Sequence, residues 1–195
     1  MSLSSELLTQ ARQWLNEAKQ NKAGLTDAQL RRIVSTAYYG VFHLLIEAGA
    51  LQLTHGINVI EVQHAMARVF DHGQMREAAY GILPKSTPAG SKRKAAALAP
   101  STWPTIFGAL NAAQSPGATA KLAIPDALVD VASYFVYLQQ LRHEADYNVG
   151  RTFDLGEAER AVQSAEEAAT QWAAIASHEA AKVFLLTMLF KGRRG

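Results

Sequence analysis

One stretch, residues 30–50, constrains the fold of this 195-residue chain more than any other. Its apolar residues recur every three or four positions, as they do on the buried face of an α-helix. A second stripe of the same stretch carries a different set of side chains, namely Arg32, Ser35, Tyr39, His43 and Glu47. A solvated helix face is usually rich in Lys and Glu. This unusual set of side chains therefore indicates a surface that binds something.

A later stretch supplies a polar partner for that surface. The helix predicted there has an apolar stripe that runs through Leu138, and the next position on the stripe is Arg142. A guanidinium in line with core residues is costly unless it is paired or hydrogen-bonded. Asp146 follows one helical turn later, with Tyr147 beside it. This pattern is as typical of a structural ion pair that closes the helix as it is of a functional site.

The two stretches together resemble the HEPN family of small helical-bundle proteins. The matching segments are STAYYGVFH at residues 35–43 and RHEADY at residues 142–147. In many HEPN proteins an S-x-x-YY-x-x-F-H helix is followed by an R-x-x-A-D-Y segment. Neither motif is specific alone, but both together, in this order on helices, make a moderately strong signal. The resemblance covers residues 1–70 and 126–180.

The resemblance implies a fold and an assembly. The expected fold is all-α, an antiparallel four- to five-helix HEPN-like bundle formed by a single domain over residues 1–195, and HEPN proteins usually form homodimers. Many of them are metal-independent ribonucleases that act as toxins or defence factors with a nucleotidyltransferase-type antitoxin. Residues 156–190 form the longest helical pattern of this chain. We expect its apolar end to be covered by the bundle or by a second chain.

The resemblance also implies site residues. HEPN ribonucleases use an Arg and a His that follows it within a few positions, but Tyr147, Asn148 and Val149 stand there in this chain. Arg142 would stabilise negative charge on phosphorus. In place of the missing His, either His43 on the facing helix would approach Arg142 and be the acid–base group, or Tyr147 would orient the phosphate while Arg142 binds it. The binding residues predicted around them are Asp146, Tyr39, Ser35 and Arg32. The alternatives are a non-catalytic module that binds a nucleotide or a partner protein, or a structural subunit of a helical assembly.

Residues 81–125 differ in composition from the rest of the chain. All of its prolines lie in this segment, and from residue 78 to residue 125 there is no Asp or Glu. The segment therefore predicts an irregular insertion into the bundle. It is either a floppy connection or a basic arm that follows a phosphate backbone, with Lys92, Arg93 and Lys94 at its tip.

Composition excludes several other classes of protein. The chain has no cysteine, so it can form neither a disulfide framework nor a thiolate metal site. It contains no phosphate-loop or dinucleotide glycine motif, and its histidines do not form a cluster with metal-ligand spacing. The net charge of +2 is too small to identify a nucleic-acid-binding protein by itself. We see no secretion signal. The expectation is a cytoplasmic protein without a membrane segment, a metal or a cofactor.

Overall fold

The computed structural model describes residues 2–54, 60–83 and 124–189, apart from the side chain of Gln63, and these residues form helices and short connections without a strand. The helices are α1 (Leu3–Gln20), α2 (Asp27–Leu53), α3 (Ile60–Ala67), α4 (His72–Ile82), α5 (Asp126–Tyr147), α6 (Leu155–Ile175) and α7 (Glu179–Thr187). The all-α class is therefore confirmed for this part of the chain. Most of the predicted insertion, including Lys92, Arg93 and Lys94, lies outside the described residues.

Helix α2 is the centre of the bundle, because it packs against α1, α5 and α6. Its start is fixed by a capping box, in which the Gln29 N–H donates to Thr26 Oγ1 over 3.3 Å and the Thr26 N–H donates to Gln29 Oε1 over 2.9 Å. Its apolar face is buried, with Tyr38 and Leu45 wholly inaccessible. The helix has the length and hydropathy of a membrane span, and 67% of its most apolar window is buried in the bundle, as in the core helix of a soluble protein.

Helix α1 lies unusually close to α2. A Cβ atom at Gly40 would lie only 2.6 Å from Cδ2 of Leu8, so the small residue allows the close approach. At the start of α1, the backbone N–H of Ser4 donates to Glu47 Oε1 over 3.0 Å, and its hydroxyl donates to Oε2 over 2.6 Å. A carboxylate at a helix N-terminus is favourable. Glu47, one member of the polar stripe, therefore serves the packing of α1.

Two features of the fold differ from the sequence-based expectation. Helix α4 was not anticipated, and its last residues include the first two positions of the predicted insertion. The long pattern of residues 156–190 is divided into α6 and α7, because His178 caps α7 by accepting a hydrogen bond from the Ala180 N–H over 3.1 Å. The apolar side chains of α7 lie inside the bundle, with Phe184 and Leu185 almost fully buried.

Candidate functional site

The structure brings several predicted site residues together where α2 crosses the end of α5. Nη2 of Arg142 donates to the Tyr39 hydroxyl over 2.9 Å. Nε of Arg142 lies 2.6 Å from Oδ2 of Asp146, but the direction is not that of a hydrogen bond, so the contact is an ion pair. The Ser35 hydroxyl donates to Oδ1 of the same carboxylate over 2.7 Å. We call Ser35, Tyr39, Arg142, Asp146 and Tyr147 the Arg142 cluster.

Two aromatic rings fix the orientation of the guanidinium. Its Cζ lies 5.5 Å from the ring centre of Tyr39 and 5.4 Å from that of Tyr147, within the range of cation–π attraction. Burial opposes the charge of Arg142, but Tyr39, Asp146 and Tyr147 outweigh this effect and raise its pKa. Among the described residues no acceptor occupies Nη1. Arg142 is therefore a fixed positive charge that can still donate hydrogen bonds to an anion.

The end of α5, which carries the cluster, is held by Arg31. Its Nη1 donates to the carbonyl of Ala145 over 2.7 Å, and its Nη2 donates to the carbonyls of Asn148, over 3.1 Å, and Arg151. Its Nε lies 2.5 Å from Oδ2 of Asp27. The last carbonyls of a helix have no partner within the helix, so Arg31 satisfies groups that would otherwise be unpaired. Arg31 was not predicted as a site residue, whereas its neighbour Arg32 was.

Arg32, which was predicted to line the site, lies elsewhere. It is exposed and borders a cavity of about 490 Å³ between the end of α1 and the start of α2, together with Trp14 and Glu17. None of the residues that line this cavity belongs to the Arg142 cluster. The polar stripe of α2 thus has three roles. Arg32 borders the cavity, Ser35 and Tyr39 belong to the Arg142 cluster, and Glu47 contacts α1.

His43, the predicted acid–base residue, packs edge-on against Phe42, with 5.4 Å between the ring centres. Its side chain is partly exposed on α2. Loss of solvent lowers the pKa of His43, and the nearby Glu47 opposes this only in part. Among the described residues, no hydrogen bond or ion pair joins His43 to Arg142. The imidazole is therefore neutral at pH 7, and Arg142 does not hold it in place.

A second histidine that the sequence analysis did not select lies beside the cluster. His72, the first residue of α4, stacks on Phe42 with 3.9 Å between the ring centres and lies 6.1 Å from the ring centre of Tyr39. Loss of solvent and then the charge of Arg142 lower the pKa of His72. In sequence His72 is distant from both motifs, and only the packing of α4 on α5 brings it to the site.

The tautomer of His72 follows from its partner. The hydroxyl of Tyr38 lies 2.6 Å from Nδ1 of His72, and Tyr38 is wholly buried. Burial raises the pKa of Tyr38, so its hydroxyl keeps its proton. Because Nδ1 is its one hydrogen-bond partner among the described residues, the hydroxyl donates to it. His72 therefore carries its own proton on Nε2 and presents a hydrogen-bond donor there.

The two lowered histidine pKa values are expected to make the fold less stable below about pH 6.5. In the unfolded chain each histidine titrates near its ordinary pKa of 6.5, whereas in the fold it binds a proton only at lower pH. The unfolded state therefore binds more protons as the pH falls, and the free energy of unfolding decreases. Urea denaturation between pH 7.5 and 5 measures this slope. The double variant His43→Gln/His72→Gln should show a flatter profile, and an unchanged slope would contradict the assignment.

Neither a metal-ligand cluster nor a known relative identifies the ligand of this site. The described residues contain no group of three or more His, Asp or Glu side chains placed to hold a metal ion. The chain matches no family model, no curated protein and no solved structure.

Proposed function

We propose that this chain is a HEPN-like cytoplasmic protein that binds RNA at the Arg142 cluster and cleaves it without a metal ion. The observation that carries the proposal is the guanidinium of Arg142, held by two tyrosine rings and with no acceptor at Nη1 among the described residues. In this proposal the protein acts as a homodimer that places two clusters at one interface. We also propose that the protein acts as a toxin or defence factor together with a nucleotidyltransferase-type antitoxin.

The cluster has the two kinds of group that recognise a single RNA strand. Guanidinium groups bind phosphate through paired N–H donors, and Arg142 is held ready to do so. Tyr147 has 63% of its surface exposed. An exposed ring next to a phosphate site is a platform on which a base can stack. Arg142 and Tyr147 together therefore support binding of a phosphate and its neighbouring base.

Cleavage requires proton transfer in addition to binding. The 2′-hydroxyl attacks phosphorus, the bond to the 5′-oxygen breaks, and the products are a 2′,3′-cyclic phosphate and a 5′-hydroxyl. His43, neutral at pH 7, takes the proton of the 2′-hydroxyl, water protonates the leaving 5′-oxygen, and the hydroxide left behind takes the proton back from His43. Arg142 and the Nε2–H of His72 stabilise the charge on the phosphoryl oxygens.

The variant His43→Gln is expected to lower the rate of RNA cleavage by about 10²-fold to 10⁴-fold, because it removes the proton acceptor. RNA affinity should change little, since Arg142 and Tyr147 remain. Labelled RNA incubated with protein and EDTA measures the rate, and a mobility shift measures the affinity. The control is His64→Gln, which replaces an exposed histidine on α3. Equal rates for both variants would exclude His43 as the acid–base residue.

A non-catalytic module that binds a nucleotide or a partner protein is the second candidate. Two observations favour it. Asp146 already neutralises Arg142, and no histidine stands at the positions after Arg142 where the HEPN pattern places one. Tight RNA binding without cleavage by the folded wild-type protein would support this candidate over the ribonuclease.

A further inference from the structure

We infer that the cavity between α1 and α2 is a pocket for one base of the RNA strand whose phosphate binds at Arg142, with a preference for a base that carries an exocyclic amine. The inference rests on the proposed function and assigns to it a second binding site.

The cavity has the size and the lining of a small-molecule site. Its volume of about 490 Å³ lies within the range of roughly 300–1,000 Å³ that is usual for ligand pockets. Trp14 contributes an aromatic ring that is only partly buried, and the partly buried side chain of Leu25 extends that surface. Glu17 and Asn21 add polar groups from the end of α1. An aromatic platform with a few polar groups suits a nucleobase.

Arg32 connects the cavity to the Arg142 cluster. Arg32 and Tyr39 are seven residues apart on α2, so they lie about 20° apart around the helix and about 10 Å apart along it. Tyr39 holds Arg142 directly. An exposed cation at the rim of the cavity and a fixed cation about two turns further along are therefore on one stripe of α2. A short stretch of a polyanionic strand can span both.

Arg32 differs from three other arginines of α2, α5 and the loop after α5 in its ion pairs with carboxylates. Arg31, Arg142 and Arg151 each contact at least one carboxylate. Arg32 makes no ion pair within the described part of the chain, so its charge is available to a phosphate at the cavity mouth. Exposed charges on a surface usually have little effect on stability. Loss of Arg32 should therefore affect ligand binding more than folding.

The carboxylate of Glu17 determines which bases suit the pocket. An ionised carboxylate only accepts hydrogen bonds, and one of its oxygens already accepts from Gln13 Nε2 over 2.9 Å. An exocyclic amine can donate to the remaining acceptor sites, whereas uracil presents carbonyl oxygens on either side of its one N–H. Bases with an amine, such as adenine, are therefore favoured over uracil.

The test is a titration with adenosine 5′-monophosphate, followed by tryptophan fluorescence. Binding against Trp14 should quench its emission, and this part of the response should be absent in Trp14→Phe. Uridine 5′-monophosphate should bind several-fold more weakly. The variant Glu17→Gln should reduce that difference between the two nucleotides. A response that persists in Trp14→Phe, or no response in the folded wild-type protein, would overturn the inference.

A second measurement separates this inference from the proposed function. The affinity for an adenine-containing oligoribonucleotide should fall about tenfold in Trp14→Ala, since base–aromatic stacking has an effect of this order. It should also fall in Arg32→Ala, which removes a cation from the mouth of the cavity. Arg160→Ala, which removes an exposed arginine from α6, is the control. If Arg142→Ala weakens RNA binding while Arg32→Ala and Trp14→Ala do not, the cavity is not a base pocket but the proposed function stands. If the wild-type protein binds adenosine 5′-monophosphate at Trp14 but binds no RNA, the cavity is a pocket for a free nucleotide, and both the proposed function and the link between the pocket and an RNA strand fail.

Discussion

Replacing Arg31 by alanine is expected to lower the free energy of unfolding by about 2 kcal/mol, because it leaves the partly buried carbonyls at the end of α5 without their donor. The side chain is only 17% exposed, and it donates to the carbonyls of Ala145, Asn148 and Arg151 at the end of α5. The same change leaves Asp27 without its cation, although the Phe153 N–H still donates to that carboxylate over 2.6 Å. Urea denaturation followed by circular dichroism measures the loss.

The adjacent residue provides the matched control for this prediction. Arg32→Ala removes the same side chain one position along α2, where it is exposed. Substitutions at such surface positions usually change stability by less than about 0.5 kcal/mol. Equal losses for the two variants would show that Arg31 does not hold the end of α5. Arg31→Lys should recover only part of the stability, because an ammonium cannot reach the carbonyls and Asp27 with one planar group.

The variant Arg142→Ala is expected to lower RNA affinity by about ten- to a hundredfold, because it removes the fixed cation to which the phosphate binds. If one phosphate contact is lost, the slope of log K against log salt concentration should also become shallower by about 0.7. Mobility shifts at several salt concentrations measure both quantities. Cleavage should be lost as well, since Arg142 stabilises the negative charge that develops on phosphorus.

The control for Arg142→Ala is Arg160→Ala, which removes the same charge from an exposed position on α6. Circular dichroism must show that the Arg142 variant remains folded, because its ion pair with Asp146 is partly buried. The same affinity and the same salt slope in both variants would refute phosphate binding at Arg142. The ion pair would then serve only to close the end of α5.

Local patterns in the sequence predicted the central elements of the fold. The capping box at Thr26 and the apolar period after it identify α2, because both signals involve residues within a few positions of each other. The ion pair of Arg142 and Asp146 follows from the same reasoning, since residues four apart share a helix face. The contacts of Ser35 and Tyr39 with this pair required only that α2 and α5 pack together. What these residues do remains a prediction.

The parts that the sequence did not predict depend on contacts between distant residues. Arg31 and Arg32 are adjacent and chemically identical, and only the position of α5 makes one of them structural and the other exposed. His72 is a single histidine outside both motifs, so no spacing rule relates it to Tyr38 or Phe42. Helix α4 is short, and the proline-containing segment that follows it hid the helical spacing of its apolar residues. Each of these features is set by tertiary packing.

The contacts of Arg31 also bear on the order in which the bundle assembles. The helix pairs α1–α2 and α5–α6 are neighbours in sequence and pack on each other, so each can form by closing a short loop. Arg31 joins the two pairs across a separation of 114 residues, from α2 to Ala145. We therefore expect the docking of these two pairs to be the late step of folding. A contact made so late should act on the rate of unfolding rather than on the rate of folding, so Arg31 is expected to determine how long the native bundle persists.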